Sequence, residues 1–173
     1  MKPTRLFASV LLTLPLALLV AAPAAAQDWS GYLLINDQAE DPIEGSYAYP
    51  NGPAIAMRVT EFHHLVTTDE GTTQPYHKPW IVTKLLDKAS SRLLQAFVED
   101  EELTVILKLY QQNQLLFEVE LERARLVAIE PITESTATQV QQLEKLRFIY
   151  VKMTIRDVAG GTLSVWNLSG WPV

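Results

Sequence analysis

The sequence predicts a mainly β domain that carries one packed α-helix, and three stretches make the case. Thr104 to Glu122 alternates apolar and polar residues around one tight turn, Leu146 to Val158 is a long apolar-rich run, and His77 to Val98 changes period in its middle. With 173 residues, 48% of them hydrophobic, the chain is most simply one domain with enough apolar material for a core.

The first 26 residues stand outside that domain. Lys2 and Arg5 make a basic start, Leu6 to Val20 is almost wholly apolar, and Ala24, Ala25 and Ala26 supply the small residues that a signal peptidase accepts. The expected organisation is a signal peptide over 1–26 and a single domain over 27–173. A retained membrane anchor is the competing reading, and Pro15, Pro23 and the alanine-rich end argue against it. The absence of cysteine excludes a lipidated cysteine at the cleavage site and leaves an exported fold without disulfides. Lys2 and Arg5 leave with the leader while no acid does, so 12 basic residues face 20 acidic ones and the net charge is −8. That sign disfavours nucleic acid and anionic lipid as partners. The cleaved protein is expected in the periplasm or outside the cell, with no membrane attachment.

In chain order, Tyr32 to Asn36 reads as a first strand and Asp37 to Pro53, rich in proline and glycine, as a loop. Ile55 to Val66 alternates imperfectly, and a bulge near His63 and His64 would restore its apolar side. Thr67 to His77 is a long polar loop. Trp80 to Leu85 has the β-branched make-up of a strand, bounded upstream by Pro75 and Pro79. Ser90 can then cap a helix whose apolar stripe is Leu93, Leu94, Phe97 and Val98, facing the sheet. Glu99 to Glu102 sets four acids at the negative end of that helix, so the helix should stop there and the acids be solvated.

The hairpin follows, with Val105, Leu107 and Leu109 on one face of its first strand, a turn at Gln112 to Gln114, and Leu115, Phe117, Val119 and Leu121 on one face of its second. Arg123 to Ile129 reads as a further strand stopped by Pro131, and Thr133 to Gln142 as a polar connection. Leu146 to Val158 would be the last long strand. Leu146, Phe148 and Tyr150 lie on one of its faces and Ile149, Val151, Met153 and Ile155 on the other, so neither side suits water. Such a strand needs cover from the helix, from a closed barrel or from another subunit. The tail from Gly160, with Leu163, Val165, Trp166 and Trp171, should dock as a short strand on the same sheet.

Enzymatic signals are weak. His63, His64 and His77 could ligate a metal, but adjacent strand residues point to opposite faces and no carboxylate has ligand spacing to them. Glu118, Glu120 and Glu122 share a face, which is the ordinary arrangement of solvated acids on a hairpin. There is no cysteine nucleophile, glycine-rich phosphate loop or nucleophile elbow. No catalytic residue, metal ligand or cofactor site is therefore expected.

The run Ile81-Val82-Thr83-Lys84-Leu85-Leu86-Asp87-Lys88-Ala89-Ser90, followed by Leu93-Leu94-Gln95-Ala96, resembles the signature of the haemolysin-coregulated protein (Hcp) family, the tube proteins of type VI secretion systems. The likeness recurs in order at Leu107 to Tyr110, Leu121 to Ile129 and Glu144 to Met153, and Tyr32 to Ile35 sits where the family opens. The resemblance implies a small β-barrel of two antiparallel sheets with one packed α-helix, and six copies closed into a ring around a wide pore. It implies rings that stack into a tube, carry small effector proteins in the lumen and perform no chemistry. In the family the loop matching Thr67 to His77 reaches the neighbouring ring. The family lacks a signal peptide, so this chain reads as an exported Hcp-like protein, either ring-forming or a monomeric binding module (adaptor or effector).

Overall fold

The computed structural model describes residues 29–68, 75–135 and 140–168. The proposed leader, Trp171 and the middle of the loop after Thr68 lie outside the described residues. The described strands are β1 (Trp29–Asn36), β2 (Met57–His63), β3 (Val66–Thr68), β4 (Pro75–His77), β5 (Trp80–Leu85), β6 (Leu103–Gln111), β7 (Gln114–Ser135), β8 (Val140–Ile149), β9 (Lys152–Asp157) and β10 (Thr162–Asn167), with one helix, α1 (Ser90–Val98). The mainly β fold with a single helix is as expected, and the tail docks as β10 on β9.

Eight strands form one antiparallel sheet in the order β10-β9-β7-β6-β1-β2-β5-β8. A further pairing, β7 with β8, closes the six strands from β7 to β8 into a barrel, while β3 and β4 make a separate ribbon. The implied antiparallel barrel is therefore present, its strands running as one hydrogen-bonded sheet.

Closure depends on β7, which is 22 residues long where two strands, Leu115 to Glu122 and Arg123 to Ile129, were expected. Its first half pairs with β6 and β9, and from Arg125 onward it pairs with β8. Between the halves Arg123 takes a positive φ of 51°, a local kink that lets one strand serve both walls. Pro131 does not stop it. Beyond Ala124 the strand has only β8 as a neighbour among the described strands, and such an edge tolerates a residue without an N–H.

The last expected strand is also corrected. It breaks at Tyr150–Val151 into β8 and β9, and the break resets the alternation. Leu146, Phe148 and Tyr150 are buried before it and Met153 is buried after it, although a continuous strand would put Met153 on the opposite face. Ile155 also packs against the core. Both apolar sets are thus covered within one chain, and this strand does not by itself call for a second subunit.

The β6–β7 hairpin turns through Gln112 and Asn113, with φ of 49° and 65°, the mirror-image turn whose twist matches paired strands. Val105, Leu107, Val119 and Leu121 face the core as expected. Tyr110, on the other face, is buried nonetheless. It stacks edge-on against Tyr32, with ring centroids 5.8 Å apart, and Tyr49 of the loop between β1 and β2 lies over Tyr32 at 6.4 Å. That loop is tied down by Gly45, where a Cβ would stand 2.2 Å from the Ala56 carbonyl oxygen. In β2 the register shift falls between Val59 and Glu61, not at His63 and His64, because β2 has to bend while it is still paired with β5.

The helix is where expected, yet its buried face differs. Leu93 and Ala96 enter the core together with Ala89, while Leu94, Phe97 and Val98 face outward, Leu94 being 54% and Val98 74% exposed. The helix packs on β7 and buries a narrow face, Leu93 with the small Ala96, while Leu94, Phe97 and Val98 are left at the surface. The acids after the helix are not simply solvated. Arg92 grips Glu101 with both nitrogens, at 3.0 and 2.7 Å, and Glu102 accepts from Arg123 and Arg125 beside the kink of β7. Those two guanidiniums, Arg123 first, hold the Glu102 carboxyl below the usual carboxylate range. Leu93→Ala is expected to cost about 2–5 kcal/mol of unfolding free energy in urea denaturation, and Leu94→Ala within about 0.5 kcal/mol.

Candidate functional site

Lys84 is in phase with Trp80 and Val82, so the alternation of β5 aims its ammonium into the barrel. No part of its side chain is exposed. Directly opposite in the β5–β8 register stands Glu144, whose Oε1 is 2.5 Å from Nζ. Asp87, from the turn after β5, approaches to 2.8 Å, and Nζ also donates to the Leu85 carbonyl at 3.0 Å. The carboxylates are satisfied in turn. Ser90 Oγ donates to Glu144 at 2.8 Å, and the Ala89 and Ser46 amides donate to Asp87. Ser90 was expected to cap α1. Its hydroxyl serves this cluster instead, accepting the Asp87 amide, and the helix has no side-chain cap. The charged run of the sequence signature is therefore a buried knot that joins β5, the helix start and β8.

A second buried polar cluster lies at the foot of the β3–β4 ribbon. His64 follows β2 and His77 ends β4, so the ribbon leaves and returns between the two histidines. Tyr150, at the break between β8 and β9, sends its hydroxyl to 2.8 Å from His64 Nε2 and 3.2 Å from His77 Nδ1. The two imidazole nitrogens are 3.3 Å apart, and Trp166 of β10 lies 6.0 Å from His77, ring centre to ring centre. His77 is only 3% exposed and Tyr150 5%. His77 thus belongs to the interior. Burial lowers the affinity of His77 for a proton, and burial first, then the neighbouring His77 and His63, does so for His64; burial also pushes the Tyr150 phenol far up. Among the described residues no group of three His, Cys, Asp or Glu side chains is placed to hold a metal ion.

Glu118 and Glu122 of the hairpin are ion-paired across strands. Glu118 is held by Lys108 of β6 at 3.5 Å and Arg156 of β9 at 3.0 Å, and Glu122 pairs with Lys152. Each of these partners is the residue directly across in the strand register. Glu118 and Glu122 are thus held in cross-strand ion pairs.

Among the described residues, apolar surface is left at several places. The outer face of α1 shows Leu94, Phe97 and Val98, and β10 shows Leu163 and Val165 along the end of the sheet. A groove of about 520 Å³ lies among Trp29, Phe62, Leu109, Leu116 and Phe117.

Residues 32–156 match the family model described as type VI secretion system effector, Hcp. The chain belongs to the Hcp family. Solved structures with the same fold include a double mutant of Hcp1 from E. coli EAEC 042, with TM-score 0.73 and 22% identity over 80% of this chain and 99% of that one. The secreted protein Hcp3 from Pseudomonas aeruginosa is similar with TM-score 0.68 and 25% identity, covering 81% and 98%. Hcp1 from Salmonella typhimurium gives 0.67 and 12% over 82% and 96%. No match was found among curated proteins.

Within this Hcp chain part of the signature is interior, Val82, Thr83, Lys84, Ala89, Leu93 and Ala96 being buried, while Leu86, Lys88 and Leu94 are exposed. Lys84 could have been recognised from its phase with Trp80 and Val82, a charge at an inward position. The joining of His64, His77 and Tyr150 had no such signal, because 13 residues separate the histidines and 86 separate His64 from the tyrosine. Lys84→Met leaves two buried carboxylates without their ammonium and is expected to lower unfolding free energy by about 3–5 kcal/mol. Lys88→Met, which removes an exposed pair with Glu44, should leave the urea midpoint unchanged.

Proposed function

We propose that the domain over 27–173 is exported after cleavage of residues 1–26 and assembles into hexameric rings, which stack and carry small effector proteins in the lumen. One observation carries the assembly reading: a single rigid barrel displays two unlike apolar surfaces, the outer face of α1 and the β10 edge. A ring of identical subunits uses a heterologous contact, in which one patch meets a different patch on the next copy. Leu94, Phe97 and Val98 offer one such patch, and Leu163 and Val165, at a sheet edge with no outer neighbour among the described strands, offer the other. An open apolar edge in water invites pairing with another chain, and a ring would use that tendency productively. The ribbon of β3 and β4, at the two ends of the segment Thr67 to His77, is then the element that meets the adjacent ring. No step of bond chemistry is assigned to the protein.

A monomeric exported binding module is the second reading, and the groove beside Trp29 favours it. Its volume, about 520 Å³, is in the range that holds small ligands, and its lining is chiefly apolar. Among the described residues no helix is long and apolar enough to cross a membrane, which suits either reading.

Light scattering of the chain beginning at Gln27 separates the two. Six chains in one species, with annular particles in negative stain, are expected for the ring. Leu94→Glu with Val98→Glu, and separately Leu163→Glu with Val165→Glu, should each reduce that species to single chains without moving the urea midpoint. A wild-type protein that stays a monomer even when concentrated overturns the ring.

A further inference from the structure

The foot of the β3–β4 ribbon is governed by a proton count. His64 Nε2, His77 Nδ1 and Tyr150 Oη lie 2.8, 3.2 and 3.3 Å from one another, so all three share hydrogen bonds at one point. With both imidazoles neutral, and in the tautomers that let the phenol both donate and accept, two protons serve the three atoms. The phenol donates to one ring nitrogen and accepts from the other, and either assignment leaves one imidazole nitrogen as acceptor. A third proton removes that acceptor. The phenolic hydrogen is then left with Met153 Sδ, 3.9 Å away and a weak acceptor, inside the core.

We propose that His64, His77 and Tyr150 form a proton-operated latch that fixes the foot of the ribbon to the barrel and lets it go when an imidazole is charged. The groups around it offer little to stabilise that charge. His63 of β2 precedes His64, Lys78 follows His77, Tyr150 faces both rings from the β8–β9 break, and Trp166 covers His77 from β10. Among the described residues no carboxylate is hydrogen-bonded to or paired with either ring. A released ribbon loses its side-chain anchorage to Tyr150 and is left with its own short ladder, Val66 with His77 and Thr68 with Pro75, which two strands alone hold only marginally in water. The ribbon would thus detach at its base while the barrel, held elsewhere, stays closed.

The sign of the pH dependence is set by the lowered proton affinity of both histidines in the folded state. The latch is fully present above the ordinary imidazole value of about 6.5 and is lost as pH falls through the lower folded values. The device rests on the barrel's geometry and does not require ring formation, so its test is independent of assembly.

Amide hydrogen exchange of the purified protein, corrected for intrinsic rates, is measured between about pH 7.5 and about pH 5, the range that brackets imidazole titration. Protection at Thr67, Tyr76 and Lys78, the amides that donate across the ribbon, is expected to fall roughly tenfold or more while β5 and β8 keep theirs. His64→Gln supplies the phenol with an acceptor oxygen that no proton removes, so its ribbon should remain protected throughout the range even where His77 is charged. Unchanged ribbon protection in the wild type, or an equal loss in His64→Gln, overturns the latch. Imidazole nitrogen shifts of the wild type provide the reading should that variant not fold: ribbon opening must follow the titration of His64 or His77, and an opening with a different midpoint also overturns it.

Discussion

A buried ammonium is the constraint on which the fold is built. Lys84 sits with Trp80 and Val82 on the inward face of β5, where an isolated charge would be too costly to keep. It is tolerable because Glu144 stands opposite on β8 and Asp87 and Ser90 come in from the start of the helix. Every polar atom of that group must be supplied by a different part of the chain. The strand, the turn, the helix start and the closing strand are thereby held in one mutual position, and Ser46 adds the loop between β1 and β2. Replacing such a group with apolar side chains could be just as stable, so its value here is the fixed geometry it imposes.

That geometry explains how much of the molecule could be read in the residues. β5, α1, the β6–β7 hairpin and the docking of β10 follow from local period and turn chemistry, which need no knowledge of the partner. What escaped was decided by partners. Nothing in Arg123 marks a positive φ, since glycine is the residue that usually signals one, and so β7 was divided in two. The break at Tyr150–Val151 falls within an unbroken apolar run, where alternation alone carries the phase straight through. Glu101 and Glu102 looked solvated because the arginines that hold them come from the helix and from the kink in β7.

The corrected strand also moves the case for assembly. The apolar residues from Leu146 to Ile155 are largely taken up by the core, whereas α1 and β10 keep large apolar side chains exposed. Phe97 and Val98 stand out because Leu93 and Ala96 suffice to fill the space over β7. The polar face is organised as well, with Glu118 of β7 bound on both flanks to cations of β6 and β9. A barrel finished in this way, saturated within and across its charged wall, leaves its unlike apolar patches as the surfaces with most to gain from a neighbour.

The rigidity of the protomer is what such patches need, and native-state hydrogen exchange tests it most directly. If the Lys84 knot binds helix and barrel into one unit, the slowest amides of α1, β5 and β8 share a single opening free energy equal to that of global unfolding. A helix whose amides exchange through a separate opening, well below the energy that unfolds β5 and β8, would contradict the account.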